Sequence, residues 1–378
     1  MKSNSDLKDR YIHFASVLIR NYRGDEPFHL YLKKYFRDNK KHGSRDRKII
    51  TSLCYNYFRL GMGVNQLMSF EKKIDTGNFI FEDTSTPLEQ KLKILSGKFS
   101  TDNIFPLKKE LSNEISVDDF EKSFLTQPLL FIRIRPGNQS KVLHALQNKE
   151  IPFRKFSDSC LGFSNNTQLE KVLDINKEVV IQDLSSQQVS LFFHYVSVDN
   201  KTTVKLWDAC AASGGKSILV SDYIKNINLT VSDKRKSILQ NLQKRFKEAG
   251  ISKYKLFQLD LSVPVQNIKD STFDFIIADV PCSGSGTWAR TPEQLLFFQK
   301  EKIGEYTRLQ QTIIKNCLPK LKKGGYLLYI TCSVFKKENE DNVGFFCKKY
   351  PLSLIHQQYL KGYQNQADSM FGALLKNK

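Results

Sequence analysis

The feature that most constrains the fold is a succession of apolar strands from Val204 to about Leu375, each closing on a chemically capable residue and each followed by a helix start. VKLWDAC runs into AASGGKS, NLTVSD into KRKSILQNL, and FDFIIAD into VPCSGSG. Strands and helices that alternate in this way pair the strands in parallel, cover both faces with helices and gather reactive residues at the strands' carboxyl ends. A doubly wound α/β domain is therefore expected over residues 181–378.

Three segments carry the chemistry. In LWDACAASGGKS (206–217) a strand gives way to small residues and two glycines before a helix, a turn whose free N–H groups and missing side chains let a nucleotide-type ligand approach. GGKS imitates the end of a phosphate-binding P-loop, but Cys210 stands where that loop needs its first glycine, and no GxGxxG is present. Asp233 closes the next strand, where an acid can accept from a ribose diol or simply cap the following helix. Asp260 follows a third strand and could approach the edge of a base. In FDFIIADVPCSGSG (273–286) a buried strand ends on Asp279, and Pro281 fixes a turn displaying Cys282. In GYLLYITCSVFKKENEDN (325–342) another strand ends at Cys332. A buried cysteine alone is ordinarily inert packing. Two thiols and a carboxylate at the ends of strands expected to be neighbours suggest more.

Upstream, apolar residues recur at helical spacing from Tyr11 to Leu60, which predicts amphipathic helices. Between them, RDNKKHGSRDRK (37–48) reads either as a phosphate-contacting loop or as a solvated connection capped by Ser44. Residues 70–125 show mixed helical patterning and a loop near Asp83–Pro87. LLFIRIR from Leu129, SKVLHALQNKEI and short strands through Phe163 predict a small βαβ module. The boundaries expected are 1–124, 125–180 and 181–378.

Composition narrows the partners. Lys and Arg number 58 against 39 acidic residues, a net charge of +19 that suits a polyanion such as RNA. Seven cysteines without a CxxC pair give neither a disulfide framework nor a zinc site, so no metal is expected and a reducing cytoplasm fits. No apolar leader opens the chain and no long apolar run occurs, so no membrane role is expected. A monomer is expected.

CAASGGK, DVPCSGSG and TCSVFKKENEDN, in that order and spacing, resemble the CAAPGGK, DxPCSGxG and TCS…ENE signatures of the Sun/Fmu (RsmB-like) family of RNA cytosine-5 methyltransferases. QDLSSQ (182–187) resembles the QDxxSQ that precedes that family's core. GSRDRKIITSLCYNYFRLG (43–61) is similar to the family's helical NusB-type domain, and residues 125–180 resemble its RRM-like module. The resemblance implies a Rossmann-like S-adenosylmethionine methyltransferase domain preceded by those two. It also implies that Cys210, Ala211, Ala212, Ser213, Gly214, Gly215 and Lys216 line the methionine and ribose, with Asp233 on the ribose hydroxyls and Asp260 near the adenine. Cys332 corresponds to the nucleophile, Cys282 to the cysteine that assists product release, and Asp279 to the carboxylate at the target base beside the cofactor.

Three departures stand out: Ser213 where the family usually has proline, Trp288 and Ala289 ahead of Arg290 and Pro292, and DSMFGALL in place of DGFF. The first is expected to loosen the cofactor turn, the others to bear on RNA fit. The substrate implied is small-subunit (16S) ribosomal RNA, with transfer RNA, or a non-catalytic role in ribosome assembly, as alternatives. A nitrogen methyltransferase would carry an Asn/Asp-Pro-Pro-Tyr/Phe motif where Asp279-Val280-Pro281-Cys282 stands.

Overall fold

The computed structural model describes residues 4–83, 85–197 and 202–378. By its packing the chain divides into two units, Met1–Gln127 with Thr287–Lys300, and Pro128–Gly286 with Glu301–Lys378. The three segments read from the sequence are thus regrouped: residues 128–180 pack with the α/β domain, and a short piece of the carboxy-terminal half packs with the helices.

The first unit is built on α1 (Asn4–Asn21), α2 (Phe28–Asp38), α3 (Ser44–Arg59), α4 (Phe70–Glu82), α5 (Leu88–Ile94) and α6 (Val117–Ser123). Leu18, Phe28, Leu53, Phe58 and Ile74 form its core, as the helical spacing predicts. The cap of α3 differs from expectation. Gly43 is the cap residue and its N–H donates to Asp46 Oδ2 at 3.2 Å, because Ser44 already lies inside the first turn. Lys40, Lys41, Arg45 and Lys48 are exposed around it. Trp288 also corrects expectation: it is 1% exposed and rests against Phe105 and Phe298, a packing residue rather than one that can face RNA. Between Trp288 and Phe298, α11 (Gln294–Phe297) sets Phe297 against Tyr22.

The second unit opens with β1 (Leu130–Ile134), α7 (Gln139–Asn148), β2 (Arg154–Lys155), β3 (Cys160–Phe163) and β4 (Val179–Ile181). These strands form a sheet in the order β2-β3-β1-β4, antiparallel at every pairing, with β4 a strand the sequence pattern did not mark. After α8 (Leu184–Gln188) come β5 (Val204–Asp208), α9 (Gly215–Tyr223), β6 (Ile227–Asp233), α10 (Lys236–Glu248), β7 (Tyr254–Gln258), β8 (Phe273–Asp279), α12 (Glu301–Cys317), β9 (Leu321–Thr331), α13 (Glu340–Lys349), β10 (Leu352–Leu360) and β11 (Met370–Asn377).

Their sheet runs β10-β11-β9-β8-β5-β6-β7. The five strands from β9 to β7 pair in parallel, and β11 enters antiparallel between β9 and β10. Central β8 and β9 read as nearly unbroken apolar runs because helices cover both their faces; Ile276, Ile277, Leu327, Leu328 and Ile330 are all fully buried. Each such side chain contributes on the order of 1.5–3 kcal/mol. Strand order reverses at β5, which lies between β8 and β6, so a crevice opens at the carboxyl ends of β5 and β8. The QDLSSQ segment is a clip beneath this edge. Asp183 accepts from the N–H groups of Ser185 and Asp368, and the Ser185 hydroxyl reaches the Asp368 carbonyl at 2.7 Å.

Candidate active site

The turn after β5 is shaped by its backbone. Ala212 and Gly214 both adopt left-handed conformations, φ 46° and 82°. At Gly214 a Cβ would stand 2.7 Å from the Phe246 ring, so the turn needs glycine there, whereas a Cβ at Gly215 would meet nothing within 4 Å. The loop is thus seated on α10 at one glycine and open at the next. The first-turn N–H groups of α9 have no acceptor within the helix.

Polar groups surround the turn. Asp233 Oδ2 accepts from the Ala212 N–H at 3.1 Å, and Asp233 also binds the backbone and guanidinium of Arg235. Asp260 lies two residues past β7, paired with Lys234 at 2.7 Å and with Ser262, contacts that hold its carboxyl down at about 2. Burial pushes the Cys210 thiol well up, so it remains protonated. Lys216 and Asp279, both expected at the site, are joined to each other: Nζ meets Oδ2 at 2.5 Å. Burial opposes the Lys216 charge, but Asp279 outweighs it and the ammonium is held above its ordinary range.

Asp208, not singled out from the sequence, closes β5 fully buried. Ser217 donates to its Oδ2 at 2.6 Å, while Oδ1 is buried without a hydrogen-bond partner among the described residues. Burial raises its carboxyl to about 7.

At the next strand ends the two thiols meet. Cys282, after β8, and Cys332, after β9, lie with Sγ atoms 3.2 Å apart, and the Cys332 N–H approaches Cys282 Sγ at 3.3 Å. Hydrogen bonding to Cys332, then burial, raises Cys282 well above the ordinary thiol range. The register explains the meeting: β8 and β9 pair Asp279 with Ile330, so both chains turn out of the sheet at one level.

Glu338, quoted in the third motif but given no role there, ties the two turns together. It is fully buried and accepts from Ser283 N at 3.0 Å, Gln310 Nε2 at 2.8 Å and Ser333 Oγ at 2.7 Å, while burial raises its carboxyl. Gln310 also donates to the Pro281 carbonyl. Asn339 binds the Ser333 carbonyl and Thr331, and the Gly286 N–H binds the Cys332 carbonyl at 2.9 Å. Gly286 is obligatory, since a Cβ would lie 2.0 Å from the Ser369 carbonyl. Among the described residues no group of three or more His, Cys, Asp or Glu could hold a metal ion, and no helix is long and apolar enough to cross a membrane.

Residues 196–372 match the model of the family described as 16S rRNA methyltransferase RsmB/F. That stretch is similar to the RsmB/F family. It includes β5 to β9, the cofactor turn and both thiols. Ribosomal RNA small subunit methyltransferase B of Salmonella paratyphi A is 31% identical over 209 residues, which are 53% of this chain and 47% of that protein. A Bacillus subtilis (strain 168) protein, "Probable ribosomal RNA small subunit methyltransferase B", is 30% identical over 177 residues, 47% of this chain and 38% of its own length. The chain thus spans less than half the length of these curated relatives. Among solved structures, PH0851 superposes with a TM-score of 0.72 at 19% identity, covering 97% of this chain and 98% of its own. NSun6 from Pyrococcus horikoshii, solved with SFG, gives 0.58 at 16% identity over 71% of this chain and 96% of that one. At these identities the likeness establishes the fold.

S-adenosylmethionine is the cofactor of RsmB/F methyltransferases, and the residues present fit it. The turn is open at Gly215, it leads into the first turn of α9, and Asp233 stands at the second strand end.

Proposed function

We propose that this chain transfers a methyl group from S-adenosylmethionine to carbon 5 of a cytosine in RNA, with small-subunit ribosomal RNA as its substrate. The observation that carries the reading is the pair of thiols 3.2 Å apart at the ends of adjacent strands, beside the Lys216–Asp279 pair. Nitrogen methylation has no use for a thiol pair. Carbon 5 of cytosine is too electron-poor to attack a methyl donor directly, whereas thiolate addition at carbon 6 turns the ring into an enamine.

In this reading Cys332 forms the bond to carbon 6. Cys282, 3.2 Å from the attacking sulfur, assists the release of Cys332 from the methylated base once the carbon 5 proton has left. Asp279 faces N3 of the base, oriented by Lys216. Cys210 to Lys216 cradle the methionine and ribose, Asp233 takes the ribose hydroxyls and Asp260 lies toward the adenine. When bound, S-adenosylmethionine supplies the electrophilic methyl group. The target base must leave its stack to reach both sulfurs.

RNA is held by the basic surface. The helical unit, with Lys40, Lys41, Arg45 and Lys48 exposed, serves as a NusB-like module, and the four-stranded antiparallel sheet serves as an RRM-like one. The net charge of +19 supports both roles. Incubation of the protein with ribosomal RNA and labelled S-adenosylmethionine, followed by nucleoside analysis, is expected to give labelled 5-methylcytidine. Label in a different nucleoside would overturn the chemistry, and label in transfer RNA alone would overturn the substrate.

A further inference from the structure

The cofactor turn contains a serine between two left-handed residues, Ala212 and Gly214, where nothing in the serine itself restricts the backbone. Its restraint comes from another element. Arg245, in the last turn of α10, donates through Nη1 to the Ser213 carbonyl at 3.1 Å and to the Ser213 hydroxyl at 2.8 Å. One guanidinium nitrogen therefore grips both the main chain and the side chain of a single residue in the turn.

The guanidinium is itself oriented. Its Nε donates to Asn176 Oδ1 at 3.0 Å, and Asn176 Nδ2 donates to Glu248 at 2.8 Å. Asn176 has a left-handed backbone, φ 67°, just ahead of β4, and its carbonyl accepts from Arg135 at 3.0 Å. Arg135 continues to Asp222 at 2.8 Å and to the Ala249 carbonyl at 2.7 Å. The side chain between Ser213 and Asn176 thus spans from the cofactor turn to the small antiparallel sheet. The neighbouring residues on α10, Leu242 and Phe246, pack under Gly214, so α10 supports the turn by contact at one residue and by hydrogen bonds at the next.

We propose that Arg245, oriented by Asn176, is a positioning residue for cofactor binding: it fixes the Ser213 turn in the conformation that S-adenosylmethionine requires, a restraint that a proline ring at 213 would otherwise supply. The inference, which rests on the S-adenosylmethionine reading above, makes cofactor affinity depend on a residue in the turn leading into the small sheet, one that touches no ligand. A proline ring would fix φ without help. Among the described residues no hydrogen bond uses the Ser213 N–H, so the ring would forfeit none.

The test is calorimetric binding of S-adenosylmethionine to the full chain, with amide hydrogen exchange across residues 211–214. Arg245→Ala is expected to weaken binding about tenfold, the scale of losing charge-assisted hydrogen bonds, and to speed exchange in the turn. Asn176→Ala is expected to weaken it about threefold. Adding Ser213→Pro to Arg245→Ala is expected to restore affinity to within about threefold of wild type, a rescue that general destabilisation would not show. In turnover the Arg245→Ala defect should fall on KM for S-adenosylmethionine, with kcat retained. If wild type binds and Arg245→Ala binds equally well, or exchange in the turn is unchanged, the inference is overturned alone. It is equally overturned if Ser213→Pro binds like wild type by itself but rescues nothing. If wild type does not bind S-adenosylmethionine, the cofactor reading falls and the inference with it.

Discussion

The two halves of the sheet's working edge are built differently. Around the cofactor turn the shape is set by the backbone, through left-handed Ala212 and Gly214 and an open face at Gly215, and the polar supports come from groups such as Arg235 and Lys234 that reach in from solvent. Around the thiols the support is a closed network: Glu338, Gln310, Ser285, Ser333, Asn339 and Asn342 are fully buried and bound to one another or to the turns they hold. A ligand that must enter and leave is met by an adaptable rim. Two sulfurs that must stay within a few tenths of an ångström of a working geometry are met by a rigid one.

The difference can be broken from the rigid side first. Glu338→Ala leaves three donors without their acceptor, and buried unsatisfied groups cost about 1–3 kcal/mol each, so a loss on the order of 3–5 kcal/mol is expected in chemical denaturation. Loss under about 1 kcal/mol would show that the network is not what holds the thiol turns.

Asp208, under the cofactor turn at the end of β5, comes next. Its carboxyl titrates near 7 in the folded chain and near 4 when unfolded, so the folded state binds the extra proton between those values. The stability this proton provides is complete below pH 4 and is lost as pH rises through 7, on the order of 4 kcal/mol at most. The unfolding midpoint should therefore fall between pH 5 and 8 in wild type and fall less in Asp208→Asn. Equal slopes would remove Asp208 as the source.

The smallest effect is expected on the adaptable side. Gly214→Ala adds a Cβ at positive φ against Phe246 and should cost about 1–2 kcal/mol in stability, with cofactor affinity reduced as the turn shifts. Gly215→Ala, where a Cβ meets no protein atom, should leave stability nearly unchanged and act on cofactor affinity alone. Comparable unfolding midpoints for the two variants would erase the distinction between a seated and an open glycine.

Much of this layout is legible in the sequence because strand-end position is a local property. Asp233, Asp279, Cys282 and Cys332 each follow an apolar run, and the order of those runs dictates that they share one edge. What joins distant residues is less legible. The Lys216–Asp279 pair links two motifs that read as separate, and Gln310 sits on an amphipathic helix where a glutamine ordinarily faces water. Arg245 looks like any surface arginine of a basic helix until the helix is placed beneath the turn. Trp288 went the other way: its place in a catalytic motif suggested RNA, while its burial against Phe105 belongs to the helical unit. Ser44 was displaced from its cap by one residue, a shift that apolar periodicity does not resolve.

The division of labour between the two sulfurs is tested most directly by trapping. Cys282→Ala, incubated with substrate RNA and S-adenosylmethionine, is expected to accumulate an enzyme–RNA adduct that survives a denaturing gel, while Cys332→Ala is expected to form neither adduct nor 5-methylcytidine. Sustained 5-methylcytidine formation by Cys332→Ala would contradict the assignment of Cys332 as the attacking thiol.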